Sequence, residues 1–202
     1  VVAAAGSVAR AADSLLRVPS GVTRAISELE GTLGCPLFER RARGMVLNAY
    51  GKLVLVRVRR IEREFEDARG HLTARGIGTS AAVRALSASI LNARRLAVIA
   101  GLAEKHGMLA VAQEFGVSQP GISNALRDLE EGLGAPLFER RARGLWPTPA
   151  GEIVAFHFKR VLAELRHIGP DIAASEGRLQ GCVTVGALPL GRTQILPLAV
   201  AG

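Results

Sequence analysis

Between residues 119 and 133 the apolar side chains fall at Ile122, Ala125, Leu126, Leu129 and Leu133. This is the spacing of one helical face, and it predicts an amphipathic helix that stops at Gly134. Ser118 is a good N-cap for that helix, and Pro120 suits its first turn. Upstream, residues 95–106 carry Leu96, Ile99, Ala100 and Ala103 on one face and predict a helix ended by Gly107; a second helix starts near Leu109 and breaks at Gly116. Helix, glycine turn and helix make a helix-turn-helix. Residues 136–147 then place two short apolar segments around an arginine-glycine tip, which suits a small β-hairpin, and Thr148 caps the next helix over Pro149.

That next helix is long. Its strongest apolar positions, Val154, Phe158, Val161, Leu165 and Ile168, step by four and three alternately. Such a 3.5-residue stripe is a helix-pairing seam. A second seam with the same stagger runs through Val54, Val58, Ile61, Phe65 and Leu72, with Ala68 intervening.

The second seam belongs to an internal repeat. Residues 36–44 recur without change as residues 136–144, an offset of 100 that also pairs Leu29-Glu30 with Leu129-Glu130, Leu33-Gly34 with Leu133-Gly134, and Gly51 with Gly151. A period of that length is domain-sized, so each copy is expected to fold around its own core. The predicted fold is mainly α: two tandem winged helix-turn-helix domains, each followed by a long linker helix, plus a short C-terminal strand-turn stub. The expected boundaries are 1–75 for copy one, 76–91 for a flexible linker, 92–175 for copy two and 176–202 for the stub. In copy one Val22, Ala25, Ile26, Leu29 and Leu33 are expected to point inward, residues 41–44 form the hairpin tip and Asn48 is the cap. Val18 replaces the capping serine there, while Pro19 still fits a first helical turn.

Composition narrows the chemistry. A chain of 202 residues with 49% apolar and 22% charged residues is that of a folded protein. Lys+Arg 26 against Asp+Glu 18 leaves +8, mostly from arginine, whose planar fork suits phosphates and base edges. Copy one carries 13 − 8 = +5 over residues 1–75, and copy two 10 − 9 = +1 over residues 92–175. Double-stranded DNA is the expected partner. Cys35 and Cys182 lie far apart with no Cys or His cluster beside them, so neither a disulfide scaffold nor a zinc site is expected, and a reducing cytoplasm fits. Cys35 aligns with Ala135 and reads as a small buried residue. His71, His106, His157 and His167 lack metal-ligand spacing and are expected at the surface or at helix ends. No apolar run reaches the roughly 18–20 residues of a membrane span. The first residues lack the basic start of a signal peptide, and the missing initiator Met is expected to reflect a truncated start or a non-standard start codon. Catalysis finds no support: Glu28, Glu30, Asp128 and Glu130 fall on predicted helix surfaces, and neither a phosphate loop nor a nucleophile elbow occurs. No enzyme activity and no cofactor are expected.

Recognition helices read the major groove from their N-terminal turns. In copy two this singles out Ser118, Gln119, Pro120, Ser123, Asn124 and Arg127; their copy-one counterparts are Pro19, Ser20, Thr23, Arg24 and Ser27, a different chemical pattern. At the hairpin tips Arg40, Arg41, Arg43 and Arg140, Arg141, Arg143 are placed for phosphate or minor-groove contact, with Glu39 and Glu139 beside them as competing partners.

The order Ser118-Gln119-Pro120, Ile122-Ser123, Leu129-Glu130, Leu133-Gly134, Pro136-Leu137-Phe138, Arg140, Thr148 and Gly151 closely resembles the DNA-binding region of LysR-type transcriptional regulators. The match covers nearly all of copy two and most of copy one. The resemblance implies a winged domain that reads DNA, a linker helix that dimerises antiparallel, and a periplasmic-binding-protein-like effector domain after it. Residues 181–186 and Ile195-Leu196-Pro197 look like the first strand and helix start of that effector domain, too short to hold a ligand, so this chain is expected to take no small-molecule effector. The family carries one winged domain per chain, whereas here there are two. Self-association through the linker helices is therefore open to two forms, within a chain or between chains. The alternative reading is a protein-interaction module that makes mixed dimers with full-length regulators through those helices.

Overall fold

A computed structural model describes residues 1–41, 44–77, 92–142 and 144–178. The expected linker is thus described only at its first two residues, and Arg43, Arg143 and nearly all of the expected C-terminal stub lie outside the described residues. Copy one comprises α1 (Val2–Ala5), α2 (Val8–Ser14), α3 (Pro19–Leu33), a hairpin of β1 (Phe38–Arg41) and β2 (Gly44–Leu47), and α4 (Ala49–Thr73). Copy two comprises α5 (Ala93–Lys105), α6 (Met108–Phe115), α7 (Gln119–Leu133), a hairpin of β3 (Phe138–Arg141) and β4 (Gly144–Pro147), and α8 (Pro149–Ser175). Both hairpins are antiparallel with matching register, Arg41 opposite Gly44 and Arg141 opposite Gly144. Among the described residues no helix is long and apolar enough to cross a membrane.

Local chemistry accounts for the helix starts. Ser118 accepts the Gly121 amide, Thr148 the Gly151 amide and Asn48 the Gly51 amide, while Val18 starts α3 with no side-chain cap above Pro19. The end of α5 differs from expectation. His106, not Gly107, takes the left-handed conformation (φ 55°), and Gly107 is extended as the N-cap of α6, which starts at Met108. The copy-one residue at the place of His106 is Gly6, also left-handed.

Copy two has the fuller core. Leu96, Ile99 and Leu102 of α5 pack with Val111 of α6, Ile122, Leu126, Leu129 and Leu133 of α7, and Val154 and Phe158 of α8. In copy one the expected inward face is only partly covered: Val22 is buried, but Ala25 is exposed and Leu29 is 45% exposed. Within the described residues α1 has four residues and α5 thirteen, and it is Leu96, Ile99 and Leu102 of α5 that join the cluster holding Leu129.

The long helices lie side by side and antiparallel. Tyr50 near the start of α4 hydrogen-bonds Glu176 just beyond α8 (3.1 Å), and His71 near the end of α4 meets His157 near the start of α8 (3.0 Å). Along the seams Val54, Ile61, Phe65, Val154, Phe158 and Val161 are buried, whereas Val58, Leu165 and Ile168 are half-buried. Each helix also reaches into the other copy. Ile61, Phe65, Ala68 and Leu72 of α4 join the copy-two core, and Ile172 of α8 packs on Cys35, Leu37 and Val54 of copy one.

Charged groups line the same contact. Arg57 clamps both oxygens of Asp171 (2.6 and 2.9 Å) and donates to Glu164 (2.8 Å); Glu64 pairs with His157 (2.9 Å) and accepts from Arg160 (2.7 Å). His157 is only 3% exposed, which corrects its assignment to the surface: a polar position on the flank of the seam becomes interior once α4 packs there. The Arg57 hydrogen bonds hold the Asp171 carboxyl below the usual carboxylate range. Burial alone would push Glu64 up, but hydrogen bonds from His157 and Arg160 outweigh it and leave Glu64 lowered. Carboxyls with depressed values stabilise the fold above their unfolded value of about 4 and lose that contribution as pH falls through the folded values. Urea unfolding at stepped pH is therefore expected to show stability dropping below about pH 4, and an Arg57→Ala, Arg160→Ala chain is expected to show a flatter acid limb.

Candidate nucleic-acid interface

In each copy a polar helix face and a basic hairpin are held by one shared frame. The hairpin is stitched to the first helix: the Leu145 amide donates to the His106 carbonyl (2.8 Å), and the Met45 amide to the Gly6 carbonyl (2.9 Å). That approach requires glycine at the tip. Gly144 has φ 119°, and a Cβ there would overlap the His106 carbonyl oxygen; Gly44 stands in the same relation to Gly6.

The third helix is tied to the hairpin by a half-buried carboxylate. Glu130 accepts the Leu137 amide (2.6 Å) and the Phe138 amide (3.2 Å), and Glu30 accepts those of Leu37 (2.7 Å) and Phe38 (3.3 Å). This corrects the placing of Glu30 and Glu130 on the helix surface. Both are half-buried and fix the angle between α3 or α7 and its wing. The legible signal was their identical place in both repeats. Removing such an acceptor strands two amides, so Glu130→Ala is expected to cost about 1.5–3 kcal/mol and Glu130→Gln less. Urea unfolding of the two variants side by side checks this.

On α7 the structure leaves Ser118, Gln119, Pro120, Ser123, Asn124 and Arg127 exposed on its N-terminal half. Arg127 donates to the Asn124 side-chain Oδ1 (2.8 Å) and lies 3.9 Å from Glu131, and the Ser123 hydroxyl is 3.7 Å from the Met108 sulfur. On α3, Pro19, Ser20, Thr23, Arg24 and Ser27 are likewise exposed; Thr23 donates to the Pro19 carbonyl and Arg24 pairs with Glu28 (2.8 Å). The helix behind α7 is braced as well. Arg94 caps the end of α6 through the Phe115 and Gly116 carbonyls, and Arg95 donates to the Ala125 carbonyl of α7 (2.6 Å).

Arg40, Arg41, Arg140 and Arg141 are exposed on the strands that lead to the tips. The expected competition occurs in both copies: Arg41 pairs with Glu39 (3.0 Å), and Arg141 with Glu139 (2.7 Å). Arg141 also lies over the Trp146 ring (5.4 Å), which stacks on His106 with centroids 3.9 Å apart. The stack was missed in the sequence because its partners lie forty residues apart and meet only when the hairpin folds back on α5. Cys35 is buried, and burial, followed by Glu176 and Glu30, pushes its thiol up and away from reactivity.

The model for bacterial regulatory helix-turn-helix proteins of the lysR family matches residues 1–52 and 93–152, more than half of the chain. The chain belongs to the LysR family. The two matched stretches fall one on each winged unit. Among curated proteins, the HTH-type transcriptional regulator GalR of Pseudomonas putida is 46% identical over 200 residues, covering 98% of this chain and 48% of its own length. The probable hydrogen peroxide-inducible genes activator of Mycobacterium xenopi is 35% identical over 107 residues, 53% of this chain and 57% of its own. The chain thus spans about half the length of these relatives. Among solved structures, the complex of the CbnR DNA-binding domain with DNA is 34% identical and covers 43% of this chain and 99% of that one, with a TM-score of 0.37.

Proposed function

We propose that this chain is a sequence-specific reader of double-stranded DNA that acts in transcription regulation, with its two winged units held together by the α4–α8 pair. The observation that supports it most directly is the exposed polar face on the N-terminal half of α3 and of α7, each beside an arginine-bearing hairpin, in a member of the LysR family. GalR, the relative that aligns across both units, is a transcriptional regulator by name. Gln119 and Asn124 offer amides suited to adenine, and Arg127 and Arg24 offer forks suited to guanine. The arginines of the wings supply sequence-independent attraction to phosphate or a narrow minor groove. The pairs that hold Arg24, Arg41, Arg127 and Arg141 in the free protein are exposed and therefore worth little, so DNA displaces them at small expense.

The domain boundaries follow from the same reading. One unit ends with α4 and the other begins with α5, and the intervening residues serve as a tether that raises the local concentration of one seam beside the other. Fluorescence anisotropy against genomic fragments at several salt concentrations tests the proposal. Salt-sensitive, saturable binding with a preference among fragments is expected. Arg141→Ala is expected to weaken all sequences alike and to reduce the salt slope by about 1, whereas Arg127→Ala relaxes choice at particular base pairs by about 1–3 kcal/mol. Absence of salt-sensitive binding at low ionic strength would sink the proposal and favour the mixed-dimer module.

A further inference from the structure

We infer that the charges between α4 and α8 form a pairing code that accepts the unlike helix and rejects the like one. The inference rests on the proposed self-pairing of the two helices. The contact has an approximate two-fold relation under which each residue of α4 exchanges with the residue one hundred positions on in α8. Arg57 on Glu164 corresponds to His157 on Glu64, Arg57 on Asp171 to His157 on His71, and Arg60 beside Glu164 to Arg160 on Glu64. Two of the four positions keep their residue type across the repeat: Arg60 matches Arg160, and Glu64 matches Glu164. The other two change charge. Arg57 faces His157 in the alignment, and His71 faces Asp171.

In the unlike pair both clusters balance. Arg57 and Arg60 meet Glu164 and Asp171 in one, and Arg160 meets Glu64 beside two imidazoles in the other. Two copies of α4 placed in the same geometry would set Arg57 and Arg60 against Glu64 and His71, leaving one positive charge over, twice. Two copies of α8 would set Arg160 and His157 against Glu164 and Asp171, leaving one negative charge over, twice. At the centre of each cluster lies a largely buried group, Glu64 at 10% and Arg57 at 15% side-chain exposure, flanked by the half-buried Glu164 and Asp171 and by the exposed Arg60, Arg160 and His71. An uncompensated charge at such a site is expensive, whereas the balanced arrangement satisfies its hydrogen bonds. Exclusion of the like partner is thus carried by repulsive elements as well as by the attraction of the right one. The stagger of the apolar seams is the same in both helices and sets no preference by itself, although Phe158 stands where α4 has Val58, so the test of the code changes charges alone. The partner that fits an α4 is therefore an α8, from the same chain or, by exchange, from a second copy of this chain; the like-with-like dimer is excluded.

Light scattering of the full chain at micromolar concentration and mildly alkaline pH, where a free imidazole is neutral, tests the code. The double variant His71→Asp, Asp171→His unbalances both clusters of the unlike pair and balances both like pairs. It is expected to dimerise about 100-fold or more tightly than the wild type and to shift from 21.3 kDa to twice that mass. Adding Arg57→His and His157→Arg rebuilds both balanced clusters on opposite ends of the seam and is expected to return the mass and the dimerisation constant to those of the wild type. Cross-linking of mixed isotope-labelled and unlabelled wild-type chains gives a readout independent of any variant: α4-to-α8 links are expected, and α4-to-α4 links between chains would overturn the inference. A double variant that keeps wild-type helicity and stays at the single-chain mass would overturn it too. Neither readout depends on DNA, so failure of the code and failure of the DNA-binding proposal are separable.

Discussion

Phe158→Ala is expected to remove about 3–5 kcal/mol of stability, a large share of the 5–15 kcal/mol typical of a folded chain. Phe158 is fully buried, and its ring meets Phe65 of α4 at 6.2 Å and 59° within a cluster that also holds Leu96 and Ile99 of α5 and Leu129 of α7. That one cluster joins residues of the first helix, the reading helix and the opposing linker helix. A cavity there cannot be closed by the shift of a single element, which places the loss toward the upper part of the range. Its copy-one counterpart, Val58, is half-buried in the smaller cluster, and Val58→Ala is expected to cost only about 1 kcal/mol. Urea unfolding of both variants tests the contrast directly. Equal losses would show that the copy-two core and the α4–α8 contact do not share a single cluster.

The same asymmetry explains what was legible in the sequence. Helix starts in copy two were readable because Ser118 and Thr148 are side-chain caps next to prolines, signals that act over three residues. The seams were readable because their period is independent of what they pack against. Leu29 and Ala25 are exposed although they share the apolar face, because periodicity reports which face is apolar and not what packs on it; the equivalent Leu129 is buried in a cluster with residues of α5. The buried polar groups were illegible for the opposite reason. His157 and the His106–Trp146 stack take their roles from residues far along the chain, and a polar residue beside an apolar stripe gives no local sign of whether it faces water or a partner. At the reading face the sequence named the exposed residues but not their competing contacts, such as Arg127 with Asn124 or Arg24 with Glu28.

If one chain presents α3 and α7 together, its preferred site is two unlike half-sites and not a palindrome. Family members with one winged unit per chain would bring two identical reading helices to DNA, and symmetry of the protein is mirrored in the operator. Here the helices differ at every position expected to face bases: Gln119, Ser123, Asn124 and Arg127 on α7 are replaced by Pro19, Thr23, Arg24 and Ser27 on α3. Proline removes a side chain able to pair with a base, the Thr23 methyl can rest on a thymine methyl, and Arg24 offers a guanine fork at the place of Asn124, three positions before the place of Arg127. Each mismatched base pair costs about 1–3 kcal/mol, roughly additively, so a duplex carrying either half-site twice is expected to bind at least about 10-fold more weakly than the duplex carrying both. Selection from a random duplex pool, followed by titration of the chosen site against its two symmetrised versions, measures this. The expected complex holds one chain per duplex. Preference for a symmetrised site with two chains bound would mean that like winged units pair on DNA, and would overturn the self-paired reading at the level of function.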